Sequence, residues 1–259
     1  MRELDPPPTE LPACAVVGAG RMGTVMAAGL RAAATGTDGT PPRARVVGPL
    51  KRGEPIPADV DVVLLCVPDG QIAIAAQTVS QGPIVGHCSG ATGLEALGDR
   101  EAFSLHPLMS APTGSGPEVL EGAGCAVDGN TPKALEIATT LAHALHMRPA
   151  HVAAEDRVAY HAAAAMASNF LVALEAAAEK LARTANVTRE QLAPLVLATA
   201  HQWAEIGPER ALTGPIVRKD EDVVARHRAA IEERTPELLP LWDALAEQTR
   251  AVAGNRVPA

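Results

Sequence analysis

Short apolar runs alternate with helical or turn sequence over the first 150 residues. Six of these runs are mainly apolar, without a regular alternation of apolar and polar residues: Ala13–Val17, Ala44–Val47, Val60–Val67, Ile84–His87, Ala102–His106 and Cys125–Val127. Continuous runs of this length are typical of parallel strands that are covered on both faces. Helical sequence lies between them at Val25–Ala34 and Ala134–Leu145. The pattern predicts a doubly wound, mainly parallel α/β domain over residues 13–150.

The sequence changes character near residue 152. From Val152 to about Ala185 it is rich in Ala, Leu and Glu and contains no Gly or Pro, which predicts one long helix. Three further helices are predicted from a capping box at Thr188 and Gln191 with a stop at Gly207-Pro208, a cap at Asp220, and a start at Thr235-Pro236 running to about Val252. We therefore predict an all-α C-terminal domain over residues 151–259, and a disordered, proline-rich leader at residues 1–12.

Composition narrows the class of protein. The net charge of -8 and the small set of two Trp, one Tyr and two Phe argue against nucleic-acid binding, which favours basic surfaces and aromatic stacking. No apolar run approaches the roughly 20 residues that span a bilayer, and no signal peptide is apparent. The four cysteines are widely spaced, so we expect reduced thiols and no metal site. These features predict a cytoplasmic protein with no membrane or nucleic-acid partner.

A glycine-rich hexamer follows the first predicted strand. The sequence Gly18–Gly23 fits the pattern GxGxxG directly after the apolar run Cys14–Val17, and it opens a predicted helix. In that context Gly18 permits a tight turn, Gly20 lets the backbone approach a pyrophosphate, and Gly23 allows close helix–strand packing. The helix N-terminus offers N–H groups and partial positive charge to phosphates. This arrangement predicts a dinucleotide site in a Rossmann-type domain.

The residues around this loop and after the second strand indicate which dinucleotide binds. Arg21 and Met22 lie between the glycines and are expected to contact the cofactor. The second strand carries no terminal acid for the ribose hydroxyls of NAD, and Lys51 and Arg52 follow it instead. Two cations there suit the 2′-phosphate of NADP(H), and Arg52 can bind it bidentately. NADP(H) is therefore predicted over NAD(H), with a solvated surface pair as the alternative.

Three predicted strands end in polar or turn-forming residues. Ligands of open α/β sheets bind outside the carboxyl ends of the strands. Val67 and Pro68 are expected to line the nicotinamide ribose, Ser89 to reach cofactor or substrate, and His106 to act in catalysis. A structural role for each residue remains the alternative.

The predicted long helix carries polar residues among alanines. His161 and Asn169 lie about 80° apart on an ideal helix, on one face and two turns apart. His161 can donate a proton to a carbonyl oxygen, Asn169 can hydrogen-bond the same oxygen, and Ser168 is a candidate substrate ligand. The alternative is a structural His and Asn that join helix to sheet.

A turn between the later helices combines a hydroxyl group with two cations. Thr213, Gly214 and Pro215 force the turn, and Arg218 and Lys219 follow before the predicted helix cap. Arg218 or Lys219 is a candidate ligand for a substrate carboxylate, with Thr213, Gly214 and Pro215 lining the same site. The alternative is that both cations are solvated.

Taken in order, these motifs resemble the two-domain family described as Rossmann-like with a C-terminal domain of unknown function 2520. That family is similar to ketopantoate reductases, pyrroline-5-carboxylate reductases and 3-hydroxyisobutyrate dehydrogenases. The matching stretches are Gly18–Gly23, Cys66–Asp69, His87–Ala91, Ser104–Leu108, His161–Asn169 and Leu212–Asp220. Two departures stand out: no lysine occurs between Lys133 and Lys180, where ketopantoate reductases carry a catalytic lysine, and Lys219 replaces a usual glycine.

The resemblance implies NADPH-dependent reduction of a small 2-oxo acid, with ketopantoate as the leading substrate. In that reading His161 replaces the lysine as general acid, Asn169 orients the carbonyl, and Arg218 or Lys219 holds the carboxylate. Reduction of a cyclic imine, as in pyrroline-5-carboxylate reductases, is a second possibility. A non-catalytic NADP-binding sensor is a third. Four or so helices would leave apolar faces exposed, so a homodimer through the helical domain is expected.

Overall fold

The chain forms two compact units in the computed structural model, which describes residues 10–35 and 44–254. The first unit is Met1–Ser168 and the second is Asn169–Ala259. The sequence places the domain boundary near residue 150, whereas the contacts in the structure place it within the long helix. Most of the predicted leader, residues 1–9, lies outside the described residues.

The first unit is built on a seven-stranded sheet with the order β2-β1-β3-β4-β5-β6-β7. Its strands are β1 (Cys14–Val17), β2 (Val46–Leu50), β3 (Val62–Leu65), β4 (Ile84–His87), β5 (Ala102–Leu108), β6 (Gly124–Gly129) and β7 (Arg148–His151). β1 to β5 run parallel, β6 is antiparallel to β5, and β7 is parallel to β6. The predicted α/β class and its mainly parallel sheet are confirmed. β7 was not predicted, because Arg-Pro-Ala-His lacks an apolar run.

Both faces of the sheet are covered. Helices α1 (Arg21–Thr35) and α3 (Pro132–Ala144) pack on one face, where Val16 and Leu64 contribute to the core. The short helix α2 (Ile72–Gln77) packs on the other face. Neighbouring residues along a strand point to opposite faces of the sheet. Because both faces are buried, residues at successive positions of a strand are apolar. This double burial explains the continuous apolar runs in the sequence.

The predicted long helix is interrupted. A 3-10 turn at Ala154–Asp156 leads into α4 (Arg157–Ala165), a π-helical turn spans Met166–Phe170, and α5 (Leu171–Arg183) follows. A π turn has more residues per turn than an α-helix. The 100° periodicity that relates His161 to Asn169 therefore does not hold, and the prediction of one uniform helix is wrong at this point.

The second unit contains the remaining helices. They are α5, α6 (Arg189–Ile206), α7 (Pro208–Ala211), α8 (Glu221–Arg234) and α9 (Leu239–Gly254). The predicted capping box is confirmed, with the Thr188 N–H donating to Gln191 Oε1 over 2.9 Å, and Gly207 ends α6. Asp220 precedes α8, but its carboxylate accepts from Arg218 Nε at 3.0 Å rather than capping the helix.

The second unit buries few of its apolar side chains. Val224, Ile231 and Ala246 are buried, whereas Val172, Leu197 and Trp203 are each more than half exposed. A cavity of about 240 Å³ lies between α5, α8 and α9, with an almost wholly apolar lining. Exposed apolar side chains of this kind are typical of interaction surfaces.

Within the described residues, one helical stretch passes a length-and-composition test for crossing a membrane. It is Ala154–Arg183, with a mean hydropathy of 1.2. Core and interface helices of water-soluble proteins pass the same test, and this stretch carries charged residues and a π turn.

Candidate active site

The glycine-rich loop has the geometry expected of a phosphate-binding turn. Gly18 has φ 111°, and a Cβ atom there would lie 2.2 Å from the carbonyl oxygen of Cys66. A Cβ atom on Gly23 would lie 1.8 Å from the Gly18 carbonyl oxygen. In contrast, a Cβ atom on Gly20 would meet nothing within 4 Å. The first and third glycines are thus required by packing, while the second leaves open space where a pyrophosphate can approach.

The two residues between the later glycines begin helix α1. The Arg21 guanidinium is exposed and donates to the Ala111 carbonyl oxygen over 3.3 Å. Met22 packs against the core on the α1 side of the sheet. Arg21 is therefore placed at the rim of the loop, whereas the Met22 side chain contributes mainly to packing.

The predicted cation pair follows directly after β2. Lys51 and Arg52 are both exposed, and Arg52 donates to Gln71 Oε1 over 2.6 Å. Gln71 ends the 3-10 turn after β3, so Arg52 bridges the carboxyl ends of two strands. Val67 and Pro68 precede that same turn and lie at this edge of the sheet. Two cations at the end of β2 fit an added phosphate better than the bare ribose hydroxyls of NAD.

Ser89 serves the turn that follows β4. Its hydroxyl oxygen accepts from the backbone N–H groups of Ala91 (3.2 Å) and Thr92 (2.9 Å), and its side chain is buried. This hydroxyl therefore already holds the turn in shape. The prediction that Ser89 binds cofactor or substrate stays a prediction.

The two predicted catalytic histidines, His106 and His161, lie in contact. The His106 and His161 ring centroids are 5.7 Å apart in an edge-on arrangement. Tyr160 completes the group, since its hydroxyl lies 2.9 Å from His106 Nδ1. Gly90 gives the two rings room, because a Cβ atom there would lie 2.4 Å from His161 Nδ1 and 2.9 Å from His106 Nε2. His106, Tyr160, His161 and Gly90 are called the histidine cluster below.

Arg157 ties helix α4 to the sheet beside the histidine cluster. Its side chain is 3% exposed and donates to the Ser89 carbonyl oxygen over 3.2 Å and to the Ser104 hydroxyl. The Asp128 carboxylate lies 3.7 Å from it and also contacts the His151 ring. Sequence reasoning missed Arg157, Tyr160 and Asp128. The one available signal was a charged residue at the start of an alanine-rich helix.

Burial keeps two imidazoles of this region uncharged at neutral pH. Desolvation, with the positive charge of Arg157 as a further cause, lowers the pKa of His87 to about 4. Desolvation, with His161 and Arg157 as further causes, lowers the pKa of His106 to about 4. Burial also raises the pKa of Tyr160 to about 12. The cluster therefore presents a neutral His106 and a protonated tyrosine near pH 7.

Acidification is expected to destabilise the first unit through His87, which is fully buried. Its folded pKa of about 4 lies below the ordinary 6.5, so the unfolded chain binds more protons between these values. The contribution of neutral His87 to stability is complete above pH 6.5 and is lost as the pH falls towards 4. The free energy of unfolding is then lower by roughly 3 kcal/mol. Urea unfolding between pH 7 and 4.5 measures this loss.

The variant His87→Asn is expected to reduce that pH dependence, because the amide does not titrate and its oxygen can accept from the Ser89 N–H, as His87 Nδ1 does over 3.2 Å. The part that remains in the variant is expected from His106, whose pKa is lowered over the same range. His201→Gln is the control, since His201 is largely exposed on α6. An unchanged pH dependence in His87→Asn would show that His87 is not its source.

Two cysteines lie side by side at the carboxyl ends of β3 and β4. The Sγ atoms of Cys66 and Cys88 are 3.5 Å apart, and all four cysteines are free. The hydrogen bond with Cys88, together with burial, raises the pKa of Cys66 well above its usual value. Burial raises the pKa of Cys14 to about 12 and that of Cys125 above its usual value. These three therefore stay protonated thiols near pH 7.

The other predicted substrate ligands belong to the second unit or its border. Ser168 lies in the π turn, and Asn169 is the first residue of the second unit. The Thr213–Lys219 turn has positive φ angles at Gly214 (103°) and Lys219 (61°). The left-handed angle explains the glycine usually found in place of Lys219, because only glycine adopts it without strain.

No group of three or more His, Cys, Asp or Glu side chains within the described residues is placed to hold a metal ion. The polar groups present are the imidazoles and the phenol of the histidine cluster and, beside Arg157, the Asp128 carboxylate.

Comparison with known proteins confirms the family resemblance for the C-terminal half. Residues 123–249 match the family described as domain of unknown function DUF2520. A search of curated protein sequences gave no significant match.

Solved structures share the fold over nearly the whole chain. A Thermotoga maritima protein is 24% identical, with 93% of this chain and 98% of that chain covered and a TM-score of 0.74. A Bacteroides fragilis protein named as an NADP oxidoreductase is 19% identical, with 93% and 99% covered and a TM-score of 0.71. The Plasmodium falciparum pyrroline carboxylate reductase with NADP bound is 13% identical, with 94% and 99% covered and a TM-score of 0.55. At these identities the likeness establishes the Rossmann-like fold.

Proposed function

We propose that this protein is an NADPH-dependent reductase of a small C=O or C=N compound, with a 2-oxo acid such as ketopantoate as the leading substrate. The observation that carries the proposal is the placement of the histidine cluster at the carboxyl ends of β4 and β5, in the unit that also holds the glycine-rich loop. Ligands of such sheets bind along this edge. Structural likeness to an NADP oxidoreductase and a pyrroline carboxylate reductase supports the class of reaction.

The cofactor half of the site is assigned to the glycine-rich loop and the end of β2. Backbone N–H groups at the start of α1 would bind the pyrophosphate beside Gly20, and Arg52 and Lys51 would bind the 2′-phosphate. The packed contacts of Gly18 and Gly23 fit a dinucleotide cradle. When bound, the nicotinamide supplies hydride to the substrate carbon.

The histidine cluster is assigned to the oxygen or nitrogen that becomes negative during reduction. His106, neutral near pH 7 because of its lowered pKa, can donate one hydrogen bond there without the repulsion of a second buried cation. His161 would supply the proton, in the role that ketopantoate reductases give to lysine. Asn169 would orient the same oxygen.

The substrate carboxylate is assigned to Arg218 or Lys219 in the Thr213–Lys219 turn. Arg218 already pairs with Asp220 at 3.0 Å, so carboxylate binding there competes with an internal ion pair. Lys219 makes no ion pair within the described ranges 10–35 and 44–254, and it is exposed. Of the two cations, Lys219 is therefore the more available to a ligand.

A cyclic imine such as pyrroline-5-carboxylate is the second candidate substrate. The structural likeness to the Plasmodium falciparum enzyme favours it. Both candidates pair a carboxylate with an adjacent double bond, so the residue roles proposed above apply to either. They differ in charge on the reacting group, because an imine is reduced most readily when protonated.

The test is to titrate the purified protein with NADPH and NADH and then to follow NADPH absorbance with ketopantoate or pyrroline-5-carboxylate added. Oxidation with ketopantoate supports the leading proposal, and oxidation with the imine alone replaces it with the second. Tight NADPH binding without oxidation of either would favour a sensor. No binding of either nucleotide would contradict all three.

Arg52→Ala is expected to weaken NADPH binding about tenfold while leaving NADH binding unchanged. One charge-assisted hydrogen bond to the 2′-phosphate contributes about 1.5 kcal/mol. Because Arg52 is exposed and its partner Gln71 is neutral, stability should change little. Fluorescence titration measures both affinities. Arg45→Ala is the control, because Arg45 lies just before β2 and forms an ion pair with Asp59. Equal weakening for both nucleotides would assign Arg52 to a different part of the cofactor.

We also propose that the protein is a cytoplasmic homodimer whose helical units pair. The exposed apolar side chains on α5 and α6, with Leu195, Leu197 and Trp203 among them, support this assembly. Sedimentation equilibrium should give twice the chain mass, and Leu197→Glu should shift it towards the monomer. A monomer at micromolar wild-type protein would exclude the proposal.

A further inference from the structure

We propose, building on the reductase function above, that Tyr160 is a positioning residue that fixes the tautomer of His106. By donating its hydroxyl proton to His106 Nδ1, Tyr160 keeps the ring proton on Nε2. The Nε2–H group then serves as the fixed hydrogen-bond donor to the substrate at the end of β5. The contact that carries this inference is the 2.9 Å approach of the Tyr160 hydroxyl to Nδ1.

Either the Tyr160 hydroxyl or the His106 imidazole could be the donor in this contact. A neutral imidazole carries one N–H, and either nitrogen can hold it. A phenol O–H is a stronger hydrogen-bond donor than a neutral imidazole N–H, and an imidazole nitrogen is a stronger acceptor than a phenol oxygen. Across the 2.9 Å contact Tyr160, which stays protonated near pH 7, therefore donates, and His106 Nδ1 accepts.

The other ring nitrogen of His106, Nε2, lies next to Gly90. His106 Nε2 is 2.9 Å, and His161 Nδ1 is 2.4 Å, from the position that a Cβ atom on Gly90 would occupy. Both nitrogens thus lie beside the Gly90 backbone, just after β4. A proton on Nε2 is therefore available at this edge of the sheet. A proton on Nδ1 would face Tyr160 and could not be donated to the substrate.

Helix α4 carries both side chains that contact His106, so it gives the two histidines different roles. Tyr160 and His161 are neighbours on α4, and Arg157, one turn earlier, anchors that helix to the Ser89 and Ser104 positions of the sheet. One helix therefore sets both partners of His106. With His106 limited to donation, the transferred proton is left to His161, and the two imidazoles have distinct roles.

The test measures the His106 tautomer directly by long-range nitrogen–proton NMR of the full-length protein at pH 7. His106→Gln identifies the signals by their loss. We expect wild-type protein to show a protonated Nε2 and an unprotonated Nδ1, and Tyr160→Phe to show a mixture of the two tautomers. A wild-type proton on Nδ1, or an unchanged ratio in Tyr160→Phe, overturns the inference without involving any substrate.

Turnover supplies the functional arm. Tyr160→Phe is expected to lower kcat about tenfold, the effect of misplacing one hydrogen-bond donor, with the affinity for NADPH unchanged. His201→Gln is the control, because His201 is largely exposed on α6 and lies outside the cluster and its Arg157–Asp128 anchor. A wild-type kcat in Tyr160→Phe would overturn the positioning role even if the tautomer is as expected. If no substrate is turned over by wild-type protein, the reductase proposal fails, while the NMR result still decides the tautomer.

Discussion

Gly23→Ala is expected to abolish cofactor binding and to lower the melting temperature by about 10 °C, whereas Gly20→Ala weakens cofactor binding alone. The difference follows from what a new methyl group meets. At Gly23 it would lie 1.8 Å from the Gly18 carbonyl oxygen and 3.2 Å from Cys66 Cβ, so β1, β3 or α1 must move. Overpacking against backbone costs about 3 kcal/mol or more, and each kcal/mol lowers the melting temperature of a unit this size by roughly 2–4 °C.

At Gly20 the same methyl group would meet nothing within 4 Å. The stability of Gly20→Ala should therefore stay within about 0.5 kcal/mol of the wild type. A methyl group at the pyrophosphate position still blocks close approach of the backbone, so NADPH affinity should fall about tenfold or more. Differential scanning calorimetry and NADPH titration of the two variants measure both effects. Equal destabilisation of the two would contradict the packing reading, and unchanged NADPH affinity in Gly20→Ala would move the cofactor away from this loop.

The parts of the fold that were predictable are those in which one local pattern determines the structure. The glycine-rich loop combines strand, turn and helix within ten residues, so local sequence is sufficient to locate it. The capping box at Thr188 and Gln191 is equally local. β7 illustrates the opposite case. Its four residues include Arg148 and His151 at exposed positions, and they form a strand because Cys125 and Ala126 of β6 offer them a partner.

The candidate site was predictable only in part, because its members come together through tertiary contacts. His106 and His161 were found separately, one by its place after a strand and the other by its polarity among alanines. Their contact depends on helix α4 packing against β5, which no local pattern specifies. Arg157 was missed because a charged residue near the start of a helix is normally expected to be exposed to solvent. Its 3% exposure results from partners in the turn after β4 and on β5 and β6.

The π turn shows how a small irregularity changes a functional inference. An uninterrupted α-helix would put His161 and Asn169 on one face. The turn at Met166–Phe170 removes that relation, and the boundary between the two units falls inside it. Ser168 and Asn169 therefore end one unit and begin the other. π turns recur at functional sites, and along the chain this one follows the histidine cluster and precedes the Thr213–Lys219 turn.

Arg157→Met is expected to destabilise the protein by about 3–5 kcal/mol, the range for breaking a buried ion pair by removing one partner. The methionine side chain keeps much of the arginine's apolar volume, but it leaves Asp128, the Ser104 hydroxyl and the Ser89 carbonyl oxygen without their donor. Because Arg157 anchors the first turn of α4, Tyr160 and His161 should also lose their position against His106. Turnover should therefore fall further than in Tyr160→Phe, while NADPH affinity changes little.

Urea unfolding and NADPH oxidation on the same samples test this expectation. Arg148→Met is the matched control, because Arg148 is an exposed arginine of the same unit, on β7, and its loss should change stability by less than about 0.5 kcal/mol. The double variant Arg157→Met with Asp128→Asn should recover part of the lost stability, since a buried charge without its partner is the main cost. Equal stability of Arg157→Met and Arg148→Met would show that the buried guanidinium does not hold α4 to the sheet. The contact between His106 and the α4 residues would then need another cause.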